Sequence, residues 1–112
     1  MRVSVVFILT LLMAALLGCG LWPSQRELEN GKRLYQEHCM VCHGRGGKGD
    51  GNRSLNPPPA DLTSPSVQQK ADADLLKTIH QGRPNTAMGA WKWVLSNEET
   101  REVLAYVRSL SR

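Results

Sequence analysis

The chain has 112 residues, of which 41% are hydrophobic and 21% charged, and its formal net charge is +4. This length leaves room for one domain. The positive charge is mild, and the basic residues are scattered singly without interleaved aromatic side chains. Composition and charge therefore argue against a nucleic-acid-binding protein.

The N-terminal segment has the three-part layout of a secretory signal. A positive start at Arg2 precedes an uncharged apolar run over residues 3–17, and Gly18 stands before Cys19. The quartet Leu-Leu-Gly-Cys that ends at Cys19 resembles the lipobox of bacterial lipoproteins, in which the cysteine becomes the lipid-bearing first residue. We therefore expect residues 1–18 to be a lipoprotein signal peptide, and the rest to be lipid-anchored on the periplasmic side of a bacterial membrane.

The same segment has a second interpretation, an uncleaved transmembrane anchor. Residues 3–22 contain no charged side chain and are just long enough to span a bilayer. Both interpretations tie the remainder of the chain to a membrane, outside the cytoplasm. We expect residues 19–23 to form a tether and residues 24–112 to form the folded domain.

Three segments of that domain have helical patterns. The first helix is predicted from about Gln25 to Glu37, behind a capping box. A shorter helix is predicted over residues 74–81, ended by glycine and proline. A second capping box over residues 96–99 begins the last helix, whose apolar residues form one stripe. No strand pattern and no repeat is found, so the sequence predicts a small all-α fold.

The chemistry is concentrated in the pentapeptide Cys39-Met40-Val41-Cys42-His43. It fits the C-x-x-C-H attachment signature of c-type haem. On a helical turn the two cysteines and the histidine share one face. There the thiols can add to the two vinyl groups of one porphyrin as thioethers, and the imidazole can donate a nitrogen to the iron. The sequence therefore predicts one covalent haem c.

Two other sites could use some of these residues. A thioredoxin-like dithiol needs a βαβ context, which the pattern lacks. A zinc site would need its second pair of ligands from His38, His43 and His80, which are not spaced as in a zinc finger. A covalent haem would also act as a staple, that is, as the extra stabilisation that a domain of this size usually needs. With Cys19 lipidated and the motif cysteines on haem, no odd thiol remains.

Around this motif the chain resembles the class I cytochromes c, in particular small monohaem domains similar to the c-type subunits of cbb3-type oxidases. The resemblance implies three to four helices around one haem, with the N- and C-terminal helices packed together. The matching segments are Gly31–Tyr35, Cys39–Gly44, Gly47–Gly51, Pro57–Thr63, Ile79–Pro84, Met88–Trp91, Leu95–Glu99 and Ala105–Leu110. One departure is Gly89, where the family often has proline.

The resemblance also implies the remaining site residues. The sixth iron ligand of the family corresponds to Met88, with His80 as the rival, which we expect to lie outside the haem face together with His38. In the family a proline carbonyl accepts a hydrogen bond from the proximal histidine. Any of the three prolines of the run Pro57–Pro59 could supply it, and Pro58 and Pro59 are the candidate binding residues. Trp91 and Trp93 are both candidates for packing on the haem and reaching a propionate. The alternative for the prolines is that they only stiffen the loop. The alternative for one of the tryptophans is that it belongs to the core.

His/Met ligation fills both axial positions and raises the potential relative to two histidines. Filled axial positions argue for outer-sphere electron transfer by a carrier that is not an enzyme and has no small-molecule substrate. The alternatives are an electron-transfer subunit of a larger respiratory complex, and a haem-based sensor or peroxidase in which Met88 is labile.

The resemblance places basic residues around the exposed haem edge. This predicts redox protein partners with an acidic docking face. The basic residues are Arg45, Lys48, Arg53, Arg83 and Lys92.

Overall fold

The structure is a computed structural model that describes Gly20 and residues 22–112. This part of the chain is helical and contains no strand, which confirms the predicted all-α fold. The elements are α1 (Gln25–His38), α2 (Met40–His43), α3 (Pro65–Gln68), α4 (Asp72–Gln81) and α5 (Asn97–Ser109), with a 3-10 turn at Trp91–Trp93. The predicted signal peptide, residues 1–18, and the predicted lipid-bearing Cys19 lie outside the described residues. None of the described helices has the length and apolar character needed to cross a bilayer.

Both long helices begin at a capping box, as predicted. The Ser24 hydroxyl accepts from the amide of Glu27 at 3.2 Å, and the Glu27 carboxylate accepts from the amide of Ser24 at 2.6 Å. Ser96 and Glu99 repeat the arrangement at the start of α5, at 3.1 and 2.8 Å. The backbone hydrogen bonds to these carboxylates lower the pKa of Glu27 and of Glu99. These reciprocal bonds satisfy amides that a helix start leaves without partners.

The two long helices cross at a glycine. A Cβ on Gly31 would collide with the main-chain carbonyl of Glu102, and it would lie 3.1 Å from the Cβ of Tyr106. Glycine in a helix costs about 1 kcal/mol relative to alanine. Here the missing side chain lets the backbones of α1 and α5 approach each other closely, and the core lies along their contact. The N- and C-terminal helices are packed together, as the resemblance implied.

One arginine fastens the rest of the domain to α5. Arg108, 19% exposed in its side chain, donates to the Asp72 carboxylate at 2.6 and 3.0 Å. It also donates to the carbonyls of Gln68 and Lys70, both at 2.6 Å. This clamp holds Asp72, the first residue of α4, against α5, and the helix begins two residues before the predicted start.

Candidate functional site

A cavity of about 320 Å³ lies between the two long helices, α4 and the loops that precede α4 and α5. This volume is in the range of small-molecule and cofactor sites, about 300–1,000 Å³. The cavity is lined both by the C-x-x-C-H motif and by the loop that carries Met88. Its lining includes seven of the predicted site residues, namely Cys39, Cys42, His43, Pro58, Pro59, Met88 and Trp91. The expectation for Trp93 is wrong, because its side chain is 83% exposed and does not line the cavity.

The motif forms a helical turn, as predicted. The carbonyl of Cys39 accepts from the amides of Cys42 and His43, at 3.2 and 2.9 Å. This geometry puts the three side chains on one face of α2, and all three line the cavity. Both cysteines are free thiols and half-buried. Burial, reinforced by the charge of Cys42, raises the pKa of Cys39 to about 11. In the unloaded chain Cys39 is therefore a protonated thiol at neutral pH.

Tyr35 ties the motif to α1. Its side chain is 1% exposed, and its hydroxyl donates to the carbonyl of Gly44 at 2.6 Å, immediately after α2. Burial raises the pKa of Tyr35, so the phenol stays a donor. In the sequence, Tyr35 is one of the residues of a matching segment, and no local pattern predicts this hydrogen bond. Its hydrogen bond fixes the end of the attachment helix.

The His43 ring is oriented by a main-chain carbonyl. Its Nδ1 lies 3.0 Å from the carbonyl oxygen of Ala60, and because a carbonyl can only accept, Nδ1 carries the proton. This leaves Nε2 unprotonated and available to a metal. The expectation of a proline carbonyl is not met, since the carbonyl that faces the imidazole comes one residue after the proline run. Pro58 and Pro59 instead form part of the cavity lining.

A glycine brings this carbonyl within reach. The amide of Gly49 donates to the carbonyl of His43 at 2.8 Å, and Gly49 has a φ of +76°. A Cβ there would collide with the carbonyl of Pro59 and come within 3.2 Å of Ala60. The glycine-rich run after the motif thus lets the irregular segment around Ala60 pass directly beside the attachment helix.

The loop from Gly82 to Gly89 presents Met88 to the cavity. Gly82 ends α4 with a φ of +70°, and the amide of Arg83 donates to the carbonyl of Met88 at 2.9 Å. Thr86 closes the turn, because its hydroxyl donates to the carbonyl of Arg83 at 2.8 Å and accepts from the amide of Met88 at 3.1 Å. Sequence reasoning overlooked Thr86. Met88 is half-buried in an irregular loop, as predicted, and not in a helical stripe.

Comparison with known proteins agrees with this geometry. The family model of cytochrome c matches residues 28–111, which include most of α1, the attachment motif, the Met88 loop and all of α5. The chain belongs to the cytochrome c family. Membership implies a covalently attached haem c.

Individual relatives extend this result. The cytochrome c chain is 37% identical over 85 residues to the cbb3-type cytochrome c oxidase subunit FixP of Bradyrhizobium diazoefficiens, covering 75% of this chain and 28% of that protein. It is 30% identical over 99 residues to dihydro-heme d1 dehydrogenase of Pseudomonas aeruginosa, covering 88% of this chain and 17% of that protein. The chain thus spans less than a third of these relatives.

A solved structure shows the same architecture. A chain of the reducing HAO-like protein complex of Kuenenia stuttgartiensis superimposes with a TM-score of 0.70 at 28% identity. The match covers 85% of the cytochrome c chain and 48% of the neighbour.

The cavity of this cytochrome c domain fits a haem c. Two thiols and an imidazole share one face of α2, and the imidazole has its Nε2 free. Buried aliphatic side chains of α5, Val103, Leu104 and Val107, supply apolar walls for a porphyrin. Thioether and imidazole donors are those that hold haem iron in cytochromes of this type.

The other two histidines lie differently with respect to the cavity. His38 was expected outside the haem face, and this was wrong, because it lines the cavity with its ring 5.3 Å from that of Trp91. The reason is that α1 ends at His38 immediately before the motif, so its last side chain turns toward the same space. His80 does not line the cavity. Its Nε2 is buried, without a hydrogen-bond partner among the described residues.

The cavity's permanent positive charges come from two side chains. Among the described residues, Lys70 and Arg83 are the only lysine and arginine in the lining, and both are exposed. Sequence reasoning assigned Arg83 to the outer rim and did not consider Lys70. Because both side chains reach solvent, they could pair with the solvated propionates of a haem whose ring is buried in the cavity.

Proposed function

We propose that the protein is a membrane-tethered cytochrome that passes single electrons between redox partners outside the cytoplasm, through one haem ligated by His43 and Met88. The observation that supports this most is the single cavity that contains both the C-x-x-C-H turn and the loop carrying Met88. A bound haem c would supply a reversible one-electron iron couple.

In this proposal each residue has a defined part. Cys39 and Cys42 would form the thioethers. The carbonyl of Ala60 accepts a hydrogen bond from Nδ1–H of His43, which leaves Nε2 as the nitrogen that would bind the iron. The Thr86 turn presents the sulfur of Met88, and a soft thioether favours the ferrous state. Lys70, Arg83 and Trp91 are candidates for the propionates, and Pro58 and Pro59 for contacts with the ring. If His43 and Met88 both ligate the iron, no position on it would be left for a substrate.

The tether is proposed from the sequence. Residues 1–18 would be removed, Cys19 would carry lipid, and residues 24–112 would form the cytochrome domain on the periplasmic side. An N-terminal transmembrane anchor is the alternative. The basic residues around the haem edge would then favour partners with an acidic docking face. This basic rim consists of Arg45, Lys48, Arg53, Arg83 and Lys92.

A second candidate is an electron-transfer subunit of a larger respiratory complex. It is favoured by the relationship to an oxidase subunit, of which the matched region is 28%. Solubilisation of native membranes in mild detergent separates the two: a free carrier is recovered alone, whereas a subunit is recovered with an oxidase or dehydrogenase.

Spectroscopy of the purified holoprotein tests the proposed function itself. A six-coordinate haem predicts a reduced absorption spectrum that carbon monoxide does not change. Mass spectrometry should find one haem added to the chain. Binding of carbon monoxide to the unmodified protein would instead favour a sensor or peroxidase with a labile Met88, and would contradict a simple carrier.

A further inference from the structure

A second concave surface lies behind the haem cavity. It is a groove of about 520 Å³ between α4 and α5, and it shares Leu104 with the cavity lining. Leu104 is buried, so its side chain separates the two spaces. The floor of the groove is apolar, with Leu76 and Ala105 beside Leu104, and its edge carries the guanidinium groups of Arg101, Arg108 and Arg112.

The charge of this groove is only partly satisfied by the protein. Within residues 22–112, Asp72 is the one carboxylate side chain in the lining, and it is paired with Arg108. Arg101 and Arg112 are exposed, and neither forms a salt bridge within the described part of the chain. Two cations therefore remain free to meet an external anion.

An exposed tryptophan lies beside these cations. Trp22 is 74% exposed, and the Arg112 guanidinium lies 4.9 Å from the centre of its ring. Pro23, the next residue, lines the groove. A large exposed indole next to arginine is the composition that places a protein at the headgroup level of a membrane, where the ring meets both apolar and polar surroundings.

The position of Trp22 in the chain brings this surface close to a bilayer. Trp22 is three residues after Cys19. Three residues reach at most about 10 Å when extended. If residues 3–22 instead span the membrane, Trp22 is the last residue of the span. Either form of the proposed anchor therefore keeps Trp22 and the groove near the lipid headgroups.

We propose that the face formed by Trp22, Arg101 and Arg112 docks on the phosphates of anionic lipids, so that the domain rests on the membrane in one orientation. This inference rests on the proposed membrane anchor and adds the surface and the lipid class. Anionic headgroups attract each nearby arginine, and the attraction acts within a Debye length. Because Leu104 separates the groove from the cavity, docking would leave the haem side of the domain facing away from the lipid.

The test uses the full-length holoprotein in lipid nanodiscs. A spin label is placed at Ser111, an exposed groove residue, through Ser111→Cys after haem attachment, and at Ser54 as the control position in the exposed loop after the motif. Accessibility to a water-soluble nickel complex is measured in phosphatidylcholine discs with and without phosphatidylglycerol. We expect accessibility at Ser111 to fall at least about threefold with the anionic lipid, and Ser54 to show no change.

Charge variants make the test specific. Arg101→Gln with Arg112→Gln should abolish the protection at Ser111. The matched pair Arg45→Gln with Arg53→Gln removes the same charge from the loop after the motif and should retain it. Equal accessibility in both discs, or protection that ignores lipid charge, would overturn the inference while the anchor stands. Protection found only in native membranes would assign the groove to a protein partner. Release of the chain from the discs would overturn the anchor and this inference together.

Discussion

The main-chain amide of Arg83 donates to the carbonyl of Met88 at 2.9 Å, so the loop that carries the proposed sixth ligand closes on its own beginning. The closed loop fixes the main chain of Met88 before any iron is bound, so the positions open to its sulfur depend on the backbone of the loop. Two predictions concern this loop.

Met88→Ala should remove the sixth ligand. The weak sulfur-to-iron band near the red edge of the oxidised spectrum should disappear, and the reduced protein should bind carbon monoxide, because an axial position is then open. Optical spectroscopy of both oxidation states measures this. The control is His80→Ala, whose side chain does not line the cavity and which should retain the band. Loss of the sixth ligand in the His80 variant alone would reverse the assignment.

Gly82→Ala should disturb the same ligand indirectly. The φ of +70° costs an L-residue about 1–2 kcal/mol, and the new Cβ would lie 2.5 Å from the carbonyl oxygen of Met88. We expect lower thermal stability and a weaker sulfur band. Gly89→Ala is the matched control, since a Cβ at Gly89 meets no atom within 4 Å. Equal effects of the two substitutions would contradict the role given to the closed loop.

Cys39→Ala or Cys42→Ala should lose most of the holoprotein. A small domain with one thioether missing lacks the staple that its modest core requires, so the haem-free chain should be largely unfolded. Haem content and circular dichroism of the purified protein measure this. Val41→Ala, at a 70% exposed position between the two cysteines, should load haem normally. A folded haem-free domain at normal yield would refute the staple argument.

Glu99→Gln should change how stability depends on pH. Bonds from Ser96 lower the pKa of Glu99 below 4.5, so its carboxylate stabilises the fold above that pH. This contribution is lost as pH falls through the lower, folded-state pKa. The free energy of unfolding of the variant should therefore be lower than that of the unmodified protein near neutral pH, with the difference shrinking in acid. Glu98→Gln, one residue earlier in the same turn, is the control. A difference that grows in acid would have the wrong sign.

Ionic strength should slow electron transfer to an acidic partner. Charges are screened over about 10 Å at 0.1 M salt, so steering by a basic rim weakens. Arg45→Glu with Lys92→Glu should flatten this dependence in stopped-flow measurements without a large change in potential. Lys32→Glu with Lys77→Glu, at exposed positions on α1 and α4, should retain it. A rate indifferent to salt in the unmodified protein would indicate apolar docking or delivery by the tether.

The features predicted correctly are those that depend on neighbouring residues. A capping box and a C-x-x-C-H turn are encoded within five residues, so Ser24, Ser96 and the motif identified helix starts and attachment site. The short helix at Pro65–Gln68 was missed, because a single turn has no apolar period.

Long-range contacts were also beyond local patterns. Arg108 bonds to residues 36 to 40 positions away, and Ala60 lies 17 positions from His43. Such pairs are set by how the folded chain packs. His38 was placed on the wrong side for the same reason, since the direction of the last residue of α1 depends on the bend at Cys39.

The contact between Trp22 and Arg112 puts both ends of the described domain at one corner. Domains whose ends are close together tolerate insertion into longer polypeptides. A linker added at either end therefore starts at that corner. This architecture suits repeated use of one electron-transfer unit, and the matched region forms only 28% and 17% of two longer relatives.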